Sequence, residues 1–134
     1  MEEFFCPVNL TADIIGGKWK PLIIFYLESG TLRFGQQQKL IPGMTKKMLT
    51  QHLRELERDG IINRKVYAVV PPKVEYSLTK HGCSLKPILK QMSAWGTKHR
   101  ARYGIPKGRT QKVAVVARRA STAVGETAAI QPLK

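Results

Sequence analysis

Short runs that contain apolar residues make up the first part of this chain, and glycine and proline mark their ends. The runs predict three helices over residues 8–15, 19–27 and 34–40. A strand of only two residues, Leu32 and Arg33, is expected between the second and the third helix. The first 40 residues therefore predict a small helical assembly.

A fourth helix is predicted over residues 45–59, and its two faces differ sharply in polarity. Thr45 suits the N-cap, since its hydroxyl can accept from a backbone N–H of the first turn, and Gly60 ends the helix. Its apolar positions recur at helical spacing and predict a buried stripe of Leu49, Leu53 and Leu56. The outward stripe is polar and cationic: Lys47, Thr50, Gln51, Arg54 and Arg58.

Two strands and a long helical region follow. Residues 61–69 are rich in β-branched side chains and predict a strand, and Val70-Pro71-Pro72 leads into its hairpin partner over residues 73–78. A helical region, with a jog at Gly82, then extends over residues 79–103.

Apolar residues of that last region form a stripe longer than the closure of a small core requires. The stripe consists of Leu85, Ile88, Leu89, Met92 and Trp95. We expect part of it, together with the helix over residues 8–15, to form a two-fold dimer interface. The large aromatic side chains expected in the core are Trp19, Phe25, Phe34 and Trp95.

The order of these elements is that of a winged helix-turn-helix. The fold class is α+β, mostly α, with additional helices at both ends of the DNA-binding motif. We assign it to residues 1–103. Residues 104–134 are basic and lack aromatic side chains, so we expect a disordered tail that cannot bury enough apolar surface to fold.

Charge indicates the kind of partner. The chain carries a net charge of +14, and residues 1–103 alone hold 17 basic and 8 acidic side chains. This excess of positive charge favours a polyanionic binding partner. Double-stranded DNA is the first candidate and an anionic membrane surface the second. The longest apolar run is too short to span a bilayer, and Glu2 and Glu3 do not suit a secretory signal, so we expect a cytoplasmic protein.

The fourth helix is the candidate recognition helix. Gln51 suits an adenine edge and Arg54 a guanine edge, and each good pair discriminates by roughly 1–3 kcal/mol. The other candidate DNA contacts lie at the start of this helix, on its outward face and on the wing: Thr45, Lys46, Lys47, Thr50, Arg64, Lys65 and Lys73.

The sequence contains no motif that supports a catalytic or a cofactor-binding site. His52, His81 and His99 lack a metal-ligand spacing, and Gly16-Gly17-Lys18 lacks the spacing of a phosphate-binding loop. We therefore expect no enzyme, no metal and no cofactor. A non-specific or architectural nucleic-acid-binding protein stays open as the alternative, because net charge alone would support it.

Several motifs follow one another over about residues 5–103: Cys6-Pro7, Ile15-Gly16-Gly17-Lys18-Trp19, Arg33-Phe34, Ile41-Pro42-Gly43, Lys47-Met48-Leu49-Thr50, Leu53-Arg54-Glu55-Leu56-Glu57, Asp59-Gly60 and Val70-Pro71-Pro72-Lys73-Val74-Glu75-Tyr76-Ser77-Leu78-Thr79. In order and spacing they resemble the motifs of the HxlR-type transcriptional regulators, which are relatives of the MarR regulators. The resemblance implies a homodimeric regulator, expected to be a repressor, that binds an inverted-repeat operator. It also implies a response to oxidants or electrophiles through a cysteine near the N-terminus.

Cys6 is the residue that matches this cysteine. It precedes Pro7 at the expected start of the first helix, where free N–H groups and the helix dipole favour a thiolate. On the residues alone, a half-buried thiol that packs as a small apolar group is the simpler interpretation. The resemblance favours redox sensing.

Overall fold

The computed structural model describes residues 5–106, and this part of the chain forms a winged helix-turn-helix. The element bounds are α1 Pro7–Ile15, α2 Lys20–Leu27, β1 Leu32–Arg33, α3 Phe34–Leu40, α4 Lys46–Arg58, β2 Ile62–Tyr67, β3 Lys73–Leu78, α5 Lys80–Cys83 and α6 Lys86–Tyr103. The predicted element order is therefore confirmed. Residues 1–4, and the predicted tail from residue 107 onward, lie outside the described residues.

The three strands form one antiparallel sheet in the order β1-β3-β2. Strands β2 and β3 make the wing hairpin, in which Ile62 pairs with Leu78 and Tyr67 with Lys73. The short strand β1 adds to the other edge of β3, where Leu32 pairs with Tyr76. The sheet thereby fixes the base of the wing to the turn between α2 and α3.

The hydrophobic core lies between α2, α4 and the inner face of this sheet. Ile23 and Ile24 of α2 are fully buried, and the predicted stripe of α4 is confirmed, with Leu49, Leu53 and Leu56 at most 2% exposed. Burial of side chains of this size contributes about 1.5–3 kcal/mol each. This packing holds α4 rigidly, with its polar face directed away from the core.

The turn between α3 and α4 sets the position of α4. Gly43 adopts a φ of 99°, which a residue with a Cβ rarely takes, and Ile41 and Met44 on either side of it are buried. Thr45 then caps α4 as predicted, and its Oγ1 accepts from the Met48 N–H at 3.0 Å.

The helical region after the wing is two helices, because Ser84 and Leu85 separate α5 from α6. Thr79 caps α5, where its Oγ1 accepts from the Gly82 N–H at 2.8 Å and donates to the Gly60 carbonyl at 2.7 Å. Gly82 lies against the backbone of Ile61, so that a Cβ there would overlap the Ile61 carbonyl oxygen. The predicted jog thus lies two residues beyond Gly82.

One expectation about the core is wrong. Trp19, Phe25 and Phe34 are partly buried and pack against the core, but Trp95 is 67% exposed. The last core residue of α6 is Leu89, and residues 90–98 are all exposed. Trp95 continues the apolar stripe on the part of α6 that extends beyond the core.

Candidate nucleic-acid interface

The polar face of α4 is presented to solvent, on the side of the helix opposite the core. Lys46, Lys47, Gln51 and Arg54 are exposed and Thr50 is half-buried. These are the side chains that the sequence assigned to this helix as DNA contacts, and the fold brings them to one surface.

The start of α4 offers an anion-binding end. The free N–H groups of the first turn carry the positive end of the helix dipole, and Lys46 and Lys47 add two charges there. Thr45 is already engaged as the N-cap acceptor from Met48. Its role at this end is to hold the first turn, while its hydroxyl hydrogen stays available for a phosphate oxygen.

Gln51 does not project freely from the helix. Its Nε2 donates to Oε2 of Glu55, one turn further along α4, at 2.7 Å. The other carboxylate oxygen of Glu55 lies 2.7 Å from Nζ of Lys20 on α2. The hydrogen bonds from Lys20 and then from Gln51 lower the pKa of Glu55 from 4.5 to about 2, so this carboxylate is ionised at neutral pH.

Sequence reasoning missed both Lys20 and Glu55. The spacing of four residues between Gln51 and Glu55 is a signal for the helical half of this network. Lys20 gives no such signal, because its buried position at 8% exposure depends on how α2 packs against α4.

The wing divides the predicted cations between two faces. Arg64 lies on the face of the hairpin that looks toward α4, where it lines a groove with Thr50, Arg54, Glu57 and the buried Tyr76. Two arginines and a hydroxyl beside one groove suit the phosphate backbone of a duplex.

Lys65 and Lys73 occupy the opposite face of the hairpin, because successive side chains of a strand alternate. Their Nζ atoms lie 4.9 Å and 4.6 Å from the ring centre of Tyr67. Lys73 also pairs with Glu75 at 3.4 Å, and Glu75 accepts from the Tyr67 hydroxyl at 2.9 Å. The structure therefore does not bring these two lysines together with Arg64.

Exposed apolar side chains also lie on α1 and on α6. The exposed apolar side chains on and beside these helices are Phe5, Val8, Leu10, Ile88, Met92, Trp95 and Tyr103. On α6 three rings follow one another along the helix: Trp95 stacks on His99 at 4.7 Å with an interplanar angle of 11°, and His99 lies 4.8 Å from Tyr103 with the rings tilted by 41°. This ring array continues the predicted stripe beyond Trp95.

Cys6 is the N-cap residue of α1, as expected from the position of Pro7. Its half-buried thiol borders a shallow groove with Phe5, Asn9, Leu10 and Asp13. Within residues 5–106 both Cys6 and Cys83 are free thiols.

Other kinds of site are not found in the described part of the chain. Among residues 5–106, no three histidine, cysteine or acidic side chains are grouped so that they could hold a metal ion. No helix in that range combines the length and the apolar character needed to cross a membrane.

Comparison with known proteins identifies the family of this chain. The model of the HxlR-like helix-turn-helix family matches residues 14–103. The chain belongs to the HxlR family. This confirms the resemblance carried by the motifs and covers every element from the end of α1 to the end of α6.

Relatives of this HxlR protein are transcriptional regulators. It is 55% identical over 97 residues to the HTH-type transcriptional regulator YdeP of Bacillus subtilis (strain 168), across 72% of this chain and 76% of YdeP. Among solved structures, the redox regulator HypR in its oxidized form is 52% identical with a TM-score of 0.67, over 69% of this chain and 96% of HypR. Diamide-treated YodB from B. subtilis is 35% identical with a TM-score of 0.61, over 72% of this chain and 96% of YodB.

The protein is accordingly an HxlR-type, MarR-like transcriptional regulator with a helix-turn-helix. Its family consists of regulators and not of enzymes, in agreement with the sequence interpretation.

Proposed function

We propose that this regulator binds an inverted-repeat operator as a homodimer and represses transcription, with α4 in the major groove. The observation that carries the proposal is the outward row of Lys47, Thr50, Gln51 and Arg54 on a helix whose other face is fully packed. A rigid helix with a polar outer face fits the major groove, which is about 12 Å wide.

Base readout is assigned to Gln51 and Arg54. The two side chains lie three positions apart on α4, so they project from adjacent turns of the same face. An adenine edge suits the amide of Gln51 and a guanine edge the guanidinium of Arg54. Thr45, Lys46, Lys47, Thr50 and Arg64 are proposed phosphate contacts beside them.

Lys65 and Lys73 are proposed to contact a different part of the DNA from Arg64. Because they lie on the far face of the hairpin, they can meet the backbone or minor groove flanking the half-site while Arg64 faces the groove beside α4. The contact of Lys73 with Glu75 leaves part of its charge neutralised. We therefore expect its contribution to be smaller than that of an unpaired lysine.

Dimerisation is proposed through α6 and α1. Helix α6 has 18 residues, but only Leu89 within it is buried. A helix gains most of its stability from packing of its apolar face, so a projecting helix of this kind needs a partner surface. A second copy of the chain supplies the same apolar side chains and buries both sets by two-fold symmetry.

Cys6 is the proposed redox sensor. Its N-cap position on α1 places the thiol beside the helix dipole and next to the proposed dimer surface. The relatives support the assignment, because HypR is described as a redox regulator in an oxidized and a reduced form and YodB as a diamide-treated form. A two-electron oxidant such as diamide would take up the two thiol hydrogens as Cys6 forms a disulfide with the partner subunit. This bond would move α1 of one subunit relative to the other subunit and change the separation of the two α4 helices.

The experiment that tests DNA recognition is a titration of operator and random duplexes at one salt concentration. The operator is taken from the promoter beside the gene for this protein. Gln51→Ala and Arg54→Ala should each weaken operator binding by about 1–3 kcal/mol and relax specificity. Lys73→Ala should weaken both duplexes about equally.

Lys80→Ala is the matched control, since Lys80 is an exposed lysine on α5, outside both the proposed DNA contacts and the proposed dimer helices. It removes one positive charge and should leave operator preference unchanged. Operator binding that is unaffected by both Gln51→Ala and Arg54→Ala would refute the assignment of α4. Equal affinity of the wild type for operator and random DNA would instead favour the non-specific, architectural function.

A further inference from the structure

The contact network of Gln51 contains two residues with no assigned role in DNA binding. We propose that Glu55, anchored by Lys20, is the positioning residue that fixes the amide of Gln51 for recognition of adenine. The inference rests on the proposed function, because it requires α4 to read bases in the major groove.

The geometry holds Glu55 from two sides. Gln51 and Glu55 are neighbours on α4 at a spacing of four residues, with Nε2 and Oε2 2.7 Å apart. Lys20 approaches from α2, and its Nζ lies 2.7 Å from Oε1 of the same carboxylate. The side chains of Lys20 and Glu55 are only 10% and 25% exposed. The carboxylate is thus fixed by a second helix of the core as well as by its own.

This arrangement determines which atoms Gln51 presents to DNA. An amide nitrogen has two hydrogens, and one of them is committed to Glu55. The second hydrogen and the carbonyl oxygen remain, and they match the N7 acceptor and the N6 donor of adenine. A side chain held in its binding orientation loses less conformational freedom when the complex forms.

Lys20 also removes an electrostatic obstacle. A carboxylate on the outward side of a recognition helix would repel nearby phosphates, and it would attract the cations that should contact them. The ion pair with Lys20 neutralises Glu55 on the side of the protein, and it leaves the other oxygen for Gln51. His52 contributes little to this pairing, because its Nδ1 lies 3.9 Å from the carboxylate.

The test is selection of binding sites from a pool of random duplexes by the full-length protein and its variants. Wild type should select a sequence with adenine at the position that Gln51→Ala relaxes. Glu55→Ala should reduce the adenine preference at that position by about tenfold while it preserves the preference that Arg54 imposes. Adding Glu55→Ala to Gln51→Ala should have no further effect on it.

Three further variants separate positioning from charge and from stability. Lys20→Arg keeps the ion pair and should keep the adenine preference, whereas Lys20→Met should lose it. Asp59→Asn is the matched control, because it removes an acidic charge at the C-cap of the same helix, outside the groove beside α4, and should leave base preference unchanged. Thermal melting of each variant reports whether its fold is intact.

The outcomes distinguish this inference from the proposed function. If wild type selects a sequence and Glu55→Ala selects it with the same adenine preference, the positioning role is refuted. A Glu55→Ala variant that loses preference at every position equally also refutes it, since that pattern indicates a structural role. If wild type selects no sequence at all, the proposed function itself falls.

Discussion

Replacement of Trp95 by alanine tests whether α6 is the dimerisation helix. Trp95 is 67% exposed in the single chain, so of the about 250 Å² that a tryptophan can bury, roughly 170 Å² is still available. If the partner covers half of that area, burial at about 25 cal/mol per Å² contributes about 2 kcal/mol per subunit. Because the dimer is two-fold symmetric, the Trp95 side chains of both subunits contribute this free energy.

The expected loss is therefore about 4 kcal/mol per dimer, or a roughly thousandfold weaker association. Sedimentation equilibrium from nanomolar to micromolar concentration measures it directly. The melting temperature of the monomer should change little, because Trp95 lies outside the core. Operator affinity should fall in step with dimerisation, since one subunit alone reads only one half-site.

Val70→Ala is the control for this experiment. Val70 is 98% exposed at the tip of the wing, far along the chain from α6, and its replacement should leave the dimer dissociation constant unchanged. A Trp95→Ala variant that dimerises as tightly as wild type would refute the assignment of α6. An equal loss in Val70→Ala would refute the reasoning from exposed apolar area.

Three other predictions concern stability and sensing. Gly82→Ala should lower the unfolding free energy by about 1–3 kcal/mol in urea denaturation, because its Cβ would lie 3.0 Å from the carbonyl carbon of Ile61 and overlap the oxygen. Gly96→Ala, with open space around it, should instead stabilise α6 by up to about 1 kcal/mol. Similar effects of the two substitutions would contradict this reasoning. Because the folded-state pKa of Glu55 is lowered from 4.5 to about 2, its contribution to stability is complete above pH 4.5 and is lost as the pH falls toward 2. Denaturant titrations of Glu55→Gln at each pH should lack this part of the acid dependence, and a profile unchanged from wild type would argue against the ion pair. Diamide should release wild type but not Cys6→Ser from the operator in a gel shift, and identical responses would exclude Cys6 as the sensor.

Local sequence patterns predicted most of the fold and the two faces of α4. The faces of α4 follow from the recurrence of Leu49, Leu53 and Leu56, because helical periodicity alone places residues on a face. Thr45 was likewise predictable as a cap from its place before the apolar run. The ends of strand β2 were less certain, and the predicted strand over residues 61–69 proved to be Ile62–Tyr67.

Features that depend on contacts between distant segments could not be predicted. The apolar stripe of α6 indicated a buried face, but not that the core ends at Leu89 and leaves Trp95 exposed. The burial of Lys20 depends on the packing of α2 against α4 and has no local signal. The separation of Arg64 from Lys65 and Lys73 follows from strand alternation once the register of the hairpin is known.

In the proposed dimer, helix α6 would also offer a simple way to vary the spacing between the two half-sites. From Leu89, its last buried residue, to Tyr103 the helix extends about 21 Å. A change of about 5° in the angle at which it leaves the domain therefore displaces its end by about 2 Å, which approaches the 3.4 Å rise of one base pair. In the proposed dimer built on α6, the residues around Leu89 would determine operator spacing, and α4 would determine operator sequence. Each property can then change in evolution without the other.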